Sequence, residues 1–144
     1  MRKVKIIWIL LLSIIFIEKI GAIDIYSNNG ILYNMNENKI LFSKNSQEKV
    51  SIASLTKIMT AIVAIENIDD LNQEITISEQ AFIGLDGYAK AGFKIGQTVT
   101  YEDLLYGLLL PSGAECANAL ALSISGNIED FVKLMNRTYY FIYH

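Results

Sequence analysis

The amino-acid sequence predicts an α/β fold, and three patterns in its 144 residues support that prediction. Two short β-prone runs, Gly30 to Met35 and Lys39 to Lys44, flank an asparagine-rich turn, which is the pattern of a β-hairpin. An apolar segment from Ile58 to Ile65, interrupted only by Thr60, is typical of a buried helix. Capping residues precede further leucine-rich runs downstream. We therefore expect a sheet with a central helix packed on one face, followed by more helices.

The N-terminus has the pattern of a secretory signal peptide. Basic residues precede an apolar or small-residue run from Ile6 to Ile17, and the pair Gly21-Ala22 follows. The run is too short for a comfortable membrane span. We predict that residues 1–22 are a leader cleaved after Ala22, that the chain is exported to the cell envelope or beyond, and that residues 23–144 form one domain. An uncleaved N-terminal anchor is the alternative, and would be the chain's one membrane contact.

The composition excludes several kinds of function. A net charge of −3 gives no nucleic-acid footprint. Cys116 is the one cysteine, so no intrachain disulfide forms, and we expect it to pack as a small hydrophobe. His144 is the one histidine, which excludes a Ser-His-Asp triad and a multi-histidine zinc site in practice. The glycines between residues 84 and 96 lack dinucleotide-binding spacing. We therefore predict no cofactor and no metal, and a loop that crosses near the site.

Ser54 and Lys57 at the head of the apolar helix are candidates for catalysis. Residues at i and i+3 share a helix face, so the hydroxyl and the amine are neighbours. Burial at that position removes hydration from the lysine and favours the neutral amine, which can act as a base for a serine nucleophile. The structural alternative is that Ser54 caps the helix while Lys57 extends to water.

Two further helices are predicted from their caps. Thr100 to Asp103 is a capping-box variant opening a helix that Pro111 ends. Asn127 is predicted to cap the last helix, whose inner face carries Phe131, Val132, Leu134 and Met135.

Ser112 has two interpretations. With Glu115 it matches a capping box at the start of a helix from Cys116 to about Ile124, a purely structural role. Alternatively, it lies in a turn between two helices, and its hydroxyl projects into a cleft and relays a proton.

Two segments carry a family resemblance. Ala53 to Ala61, containing S-x-x-K, and Leu104 to Gly113 resemble the first and second motifs of the serine-type D-alanyl-D-alanine carboxypeptidases, the low-molecular-weight penicillin-binding proteins. The similarity extends from about Asp24 to Asn136 and includes the hairpin. It implies the fold shared with serine β-lactamases, in which helices flank a sheet and an all-α region is inserted.

The resemblance also implies roles and partners. Ser54 corresponds to the acyl-enzyme nucleophile, Lys57 to its general base and Ser112 to the proton relay. The expected substrates are peptidoglycan stem peptides that end in D-Ala-D-Ala, and β-lactams are expected as acylating ligands.

The sequence departs from the family pattern in two motifs. Ala114 stands where the second motif, S-x-N, has its asparagine. The third motif, K-T-G on an edge strand, is absent. The nearest string is Lys94-Ile95-Gly96, which precedes the second motif and is therefore in the wrong order. The chain thus resembles the N-terminal part of such an enzyme, without the later strands. Two alternatives to a carboxypeptidase stay open: a catalytically incompetent remnant or binding module, and a relative of the serine β-lactamases.

Overall fold

The computed structural model describes residues 24–143, which belong to two compact units divided between Val50 and Ser51. The predicted leader, residues 1–22, lies outside the described residues. The two units are described separately below.

The first unit contains the predicted hairpin. Strand β1, Gly30–Asn34, pairs antiparallel with β2, Lys39–Lys44, and the register shifts at a bulge between Leu32 and Tyr33. The Asn34 side chain accepts hydrogen bonds from two backbone N–H groups of the turn, and Asn38 has a φ of 51°. These asparagine conformations confirm the predicted turn. Apolar side chains remain exposed on the hairpin: Ile31, Leu32, Tyr33, Ile40 and Leu41.

The second unit is mainly helical and contains a small sheet. A 3₁₀ turn, Ala53–Leu55, leads into the first long helix, and a second 3₁₀ turn, Glu79–Phe82, precedes the glycine-containing segment. The remaining elements, in chain order, are α1, Thr56–Asn67; β3, Glu74–Thr76; β4, Thr98–Thr100; α2, Tyr101–Leu109; α3, Ala114–Ser125; and α4, Ile128–Tyr143. Strands β3 and β4 pair antiparallel.

Helix α1 is the central helix of this unit, as predicted, because it packs against α2, α3 and α4. Its burial is confined to one face, formed by Thr60, Ala61, Val63 and Ala64. Ile58 and Ile65 are each 54% exposed, so the expectation of burial on every side is wrong. The physical reason is that the three neighbouring helices all contact the face with small side chains, where close approach is possible.

The core of the unit lies among these helices and the small sheet. Ile77, Leu104, Leu108 and Leu120 are at most 1% exposed. Full burial of such a side chain contributes about 1.5–3 kcal/mol, so these positions contribute much of the stability. Phe131 of α4 is also buried, but Val132 is 45% exposed, so its predicted place on the inner face is wrong. Among residues 24–143, no helix combines the length and apolar character that crossing a membrane requires.

The predicted caps of α2 and α4 are present. Thr100 and Asp103 form a reciprocal capping box, and the Asn127 side chain accepts a hydrogen bond from the Asp130 backbone N–H at 2.8 Å. Strand β4 was not predicted, because three residues are too few for a recognisable alternation.

Candidate active site

Ser54 lies in the 3₁₀ turn that precedes α1. The preceding residue, Ala53, has a φ of 45°, and the Leu55 backbone N–H closes the turn on the Ile52 carbonyl at 3.0 Å. A positive φ at a residue other than glycine costs about 1–3 kcal/mol and is concentrated at functional sites. Neither the turn nor α1 has a side-chain cap, so the alternative in which Ser54 caps the helix is wrong. The Ser54 side chain is instead exposed beside the first turn of α1.

Ser112 lies in the turn between α2 and α3, and it contacts Ser54. Its Oγ donates a hydrogen bond of 3.0 Å to the Ser54 Oγ, across 58 positions of sequence. Ser112 also has a positive φ, 63°. The two hydroxyls therefore meet from two separately strained turns.

The predicted capping box of Ser112 and Glu115 is wrong. The N-cap of α3 is Gly113, and no side chain caps the helix. The Ser112 hydroxyl is directed to Ser54, and the Glu115 carboxylate accepts hydrogen bonds from the backbone N–H groups of Ala91 and Gly92. The sequence spacing allowed a local pair, but contacts with distant elements hold both side chains.

Lys57 lies in the first turn of α1 and is half-buried. It lines a cavity of about 320 Å³ together with Ser54 and Ser112. The other walls of this cavity are apolar side chains of α1, of α2 and of the segment just before α1. A second cavity, of about 430 Å³, is also lined by Lys57, with Ala114 and Asn118 among its other lining residues. Lys57 therefore lines two open spaces, one of which is also lined by Ser54 and Ser112.

Cys116 lies next to Gly107 of α2 and is fully buried. Burial, and then the charge of the neighbouring Glu115, raise the pKa of the Cys116 thiol to about 12, although the Lys57 charge opposes that shift. A thiol with so high a pKa carries almost no thiolate near neutral pH. Cys116 therefore does not compete with the serines as a nucleophile, in agreement with its predicted role as a small hydrophobe.

Two glycines allow the turn at Ser112 to pack closely. A Cβ on Gly107 would lie 2.7 Å from both the Cys116 Sγ and a ring carbon of Phe93. A Cβ on Gly113 would lie 2.7 Å from the Gly107 carbonyl oxygen. The backbones on either side of Ser112 are thus in direct contact, which leaves little freedom for that turn.

The structure brings the three predicted site residues to the wall of one cavity, but sequence reasoning missed the features that support them. The strain at Ala53 has no sequence signal, since alanine rarely adopts positive φ. The spacing of Glu115 predicts a local cap and gives no sign of its contact with the loop. Gly92 is the one sequence signal for that contact, because a glycine lets another group approach the backbone closely. Within the described range, no three or more His, Cys, Asp or Glu side chains group as a metal site would require.

Comparisons with known proteins agree with the resemblance. The family model described as D-alanyl-D-alanine carboxypeptidase matches residues 17–140. The D-alanyl-D-alanine carboxypeptidase DacF of Bacillus subtilis is 32% identical over 115 residues, which are 77% of this chain and 29% of DacF. The chain spans about a third of the length of the curated relatives it matches.

Solved structures give the same result. The carboxypeptidase DacD of Francisella tularensis matches with a TM-score of 0.75 and 33% identity, over 85% of this chain and 30% of that one. The DD-transpeptidase of Streptomyces K15 matches with a TM-score of 0.75 and 29% identity, over 83% of this chain and 49% of that one. The predicted α/β fold of the penicillin-binding proteins is confirmed, with the matching part confined to a fraction of each solved chain.

Proposed function

Because this chain belongs to the D-alanyl-D-alanine carboxypeptidase family, we propose that it acts as a serine peptidase on cell-wall peptides ending in D-Ala-D-Ala, through an acyl-enzyme. The observation that carries the proposal is the 3.0 Å hydrogen bond between Ser112 and Ser54, at a cavity that Lys57 also lines. The Ser54 hydroxyl thus has a second hydroxyl within hydrogen-bond distance and a lysine amine at the same cavity, which are the partners that proton transfer requires.

The acylation step uses all three residues. The Ser54 Oγ attacks the carbonyl carbon of the penultimate D-alanine, and its proton passes to Lys57, which acts as the general base. The peptide C–N bond then breaks, and the leaving amine of the terminal D-alanine takes up a proton delivered through Ser112. The products are free D-alanine and an ester on Ser54.

Hydrolysis of the ester restores the enzyme. Water attacks the ester carbonyl and loses its proton to the Lys57 amine, and the bond to the Ser54 Oγ breaks. The proton returns to Ser54, which leaves the shortened peptide as its carboxylic acid. Ser54 also lies just before the N-terminus of α1, where the helix dipole stabilises negative charge by about 0.3–1 kcal/mol.

Labelling with a fluorescent penicillin tests the nucleophile and the relay separately. We expect Ser54→Ala to abolish covalent labelling, and Ser112→Ala to slow it by about 10²–10⁴-fold, the usual contribution of general acid–base catalysis. Ser78→Ala is the matched control, because Ser78 is exposed and its side chain makes no cap bond. Persistent labelling of the Ser54→Ala protein would remove Ser54 from the role.

A second candidate function, a binding module with little turnover, is favoured by Ala114. This alanine stands where the family motif has an asparagine. Alanine has no amide to bind the substrate, so a hydrogen bond that would orient the peptide at the reacting groups is lost. If this candidate is correct, penicillin labels Ser54 but the chain releases D-alanine from a D-Ala-D-Ala peptide at background rate. Release comparable to that of a full-length relative would contradict it.

The serine β-lactamase alternative differs in the fate of the acyl group. A β-lactamase hydrolyses its penicilloyl ester quickly, whereas a penicillin-binding protein retains it. We therefore expect the fluorescent label on Ser54 to persist after excess penicillin is removed. Loss of the label together with stoichiometric excess of hydrolysed penicillin would favour the β-lactamase.

We also propose export, from the leader pattern of residues 1–22. N-terminal sequencing of protein recovered outside the cytoplasm is expected to begin near Ile23. Recovery from the cytosol with Met1 intact would contradict cleavage and export together.

A further inference from the structure

We propose that Glu115 is a positioning residue, which ties the loop at residues 89–93 to the first turn of α3 and thereby holds Ser112 against Ser54. This loop is called the glycine loop below. The inference rests on the proposed function for the role of Ser112, and extends it to a residue outside the reacting groups.

The Glu115 side chain makes two directed contacts in a fully buried position. Its Oε1 accepts hydrogen bonds from the backbone N–H of Ala91 at 2.7 Å and of Gly92 at 2.9 Å, and the residue is 0% exposed. Among the buried side-chain polar atoms of residues 24–139, the Glu115 Oε2 is the one without a hydrogen-bond partner. Burying this carboxylate carries a desolvation cost that an apolar side chain would avoid, so Glu115 is not explained by stability alone. What the carboxylate supplies is a pair of directed hydrogen bonds that fix the position of the loop.

The contacts of Glu115 continue a series that starts directly after Ser112. The Gly113 N–H donates to the Gly107 carbonyl of α2 at 2.8 Å, and the Ala114 N–H donates to the Ala89 carbonyl of the glycine loop at 2.9 Å. Three consecutive residues are therefore each bound to a different point outside α3. A serine does not hold a φ of 63° by its own preference, so these contacts must maintain it.

Glu115 acts through the backbone and not on the substrate. It does not line the cavity shared by Ser54, Lys57 and Ser112, nor the second cavity beside Lys57. Displacement of a reacting group by about 1 Å costs on the order of 10²-fold in rate. A loosened glycine loop is therefore expected to reduce the chemical step and leave ligand binding unchanged.

The first test separates binding from acylation in the full chain. With a fluorescent penicillin, we expect Glu115→Gln, which keeps an acceptor oxygen but loses the charge, to lower the acylation rate constant about tenfold, and Glu115→Ala to lower it by up to about 10²-fold. The non-covalent dissociation constant stays within twofold in both. Leu120→Ala, which removes buried volume from the same helix, is the control for general destabilisation. Each variant is measured well below its unfolding temperature.

The second test does not need activity. Amide hydrogen exchange at Ala91 and Gly92 is expected to accelerate in the Glu115 variants relative to the core amides of α1, and the Ser112 amide resonance is expected to shift. If Glu115→Ala does not fold, Glu115→Gln carries both tests.

The outcomes distinguish the two proposals. Absence of labelling in the unsubstituted chain would refute the proposed function, and the positioning would then be decided by exchange and by the Ser112 resonance. Unchanged exchange at Ala91 and Gly92 would overturn the positioning. So would acylation of Glu115→Gln at the unsubstituted rate, or an equal loss of acylation in Leu120→Ala.

Discussion

Gly113→Ala is a sharp test of the packing around Ser112, because the backbone conformation of Gly113 suits any residue. Its φ is −61° and its ψ is 117°, so an alanine brings no backbone strain of its own. The added Cβ would lie 2.7 Å from the Gly107 carbonyl oxygen, 2.8 Å from the Ala91 Cβ and 3.0 Å from the Ala91 backbone N. Two of these three atoms belong to the backbone, so no side-chain rotation relieves the overlap.

The expected cost has two parts. Overpacking in a tightly packed region costs about 1–3 kcal/mol. Displacement of Gly107 also weakens the 2.8 Å hydrogen bond between the Gly113 N–H and the Gly107 carbonyl, which contributes about 0.5–1.5 kcal/mol net. We therefore expect the free energy of unfolding to fall by about 2–4 kcal/mol. With a shift of roughly 4 °C per kcal/mol for a domain of this size, Tm falls by roughly 8–16 °C.

The assay combines thermal unfolding with penicillin acylation at a temperature where the variant is folded. Because Ser112 directly precedes Gly113, we expect the acylation rate constant to fall on the order of 10²-fold. Gly126→Ala is the matched control. Gly126 has a φ of 75°, and no atom lies within 4 Å of its would-be Cβ, so alanine there adds strain of about 1–2 kcal/mol without overlap. Its acylation should be unchanged. A Gly113→Ala protein with unaltered Tm and acylation would refute the close-packing argument.

Three further predictions concern single side chains. Ala114→Asn restores the amide of the family motif at the second cavity beside Lys57, and we expect acylation to rise about tenfold, the worth of one added hydrogen bond to the substrate. An unchanged rate would exclude a role for that position. Burial raises the folded-state pKa of the Cys116 thiol to about 12 from an ordinary value of 9.0, so its stabilising contribution is complete below pH 9.0 and is lost as the pH rises towards 12. In urea unfolding, we therefore expect the loss of unfolding free energy caused by Cys116→Ala to shrink over that pH range, and a constant loss would contradict the shift. Hydrogen bonds from Thr100, chiefly from its backbone N–H, lower the pKa of Asp103 below 3.8, so the stabilising contribution of the Asp103 carboxylate is present above that pH and is lost as the pH falls below it. The difference in unfolding free energy between the unsubstituted chain and Asp103→Asn should therefore diminish in acid, and a pH-independent difference would count against the capping box.

The elements that were predicted correctly depend on neighbours within a few residues. The hairpin turn needs asparagines that tolerate its backbone, the capping box needs Thr100 and Asp103 three residues apart, and the last helix needs Asn127 at its start. A hydrogen bond between residues two or three apart needs only a short stretch of chain, and it forms where no distant group competes for the same atoms. Such features can therefore be inferred from the sequence.

The errors share the opposite property. Ser112 and Glu115 have the spacing of a capping box, but the Ser112 hydroxyl contacts Ser54 and the Glu115 carboxylate contacts Ala91 and Gly92. The spacing of two residues indicates which local hydrogen bond is possible. It does not indicate which distant group competes for the same side chain. In the same way, a run of apolar residues indicated that α1 packs in the core, but not which of its faces the neighbouring helices contact.

The sequence by itself therefore determined the family, the helices, the caps of α2 and α4, the hairpin and the three residues to examine, because motifs and local hydrogen bonds depend on short stretches of chain. Tertiary structure alone decided that Ser112 and Ser54 form a 3.0 Å hydrogen bond, and that two turns hold positive φ at Ala53 and Ser112. The hydrogen bond requires segments 58 positions apart to pack together, and the free energy that sustains the strain at Ser112 comes from contacts of Gly113, Ala114 and Glu115 with other elements.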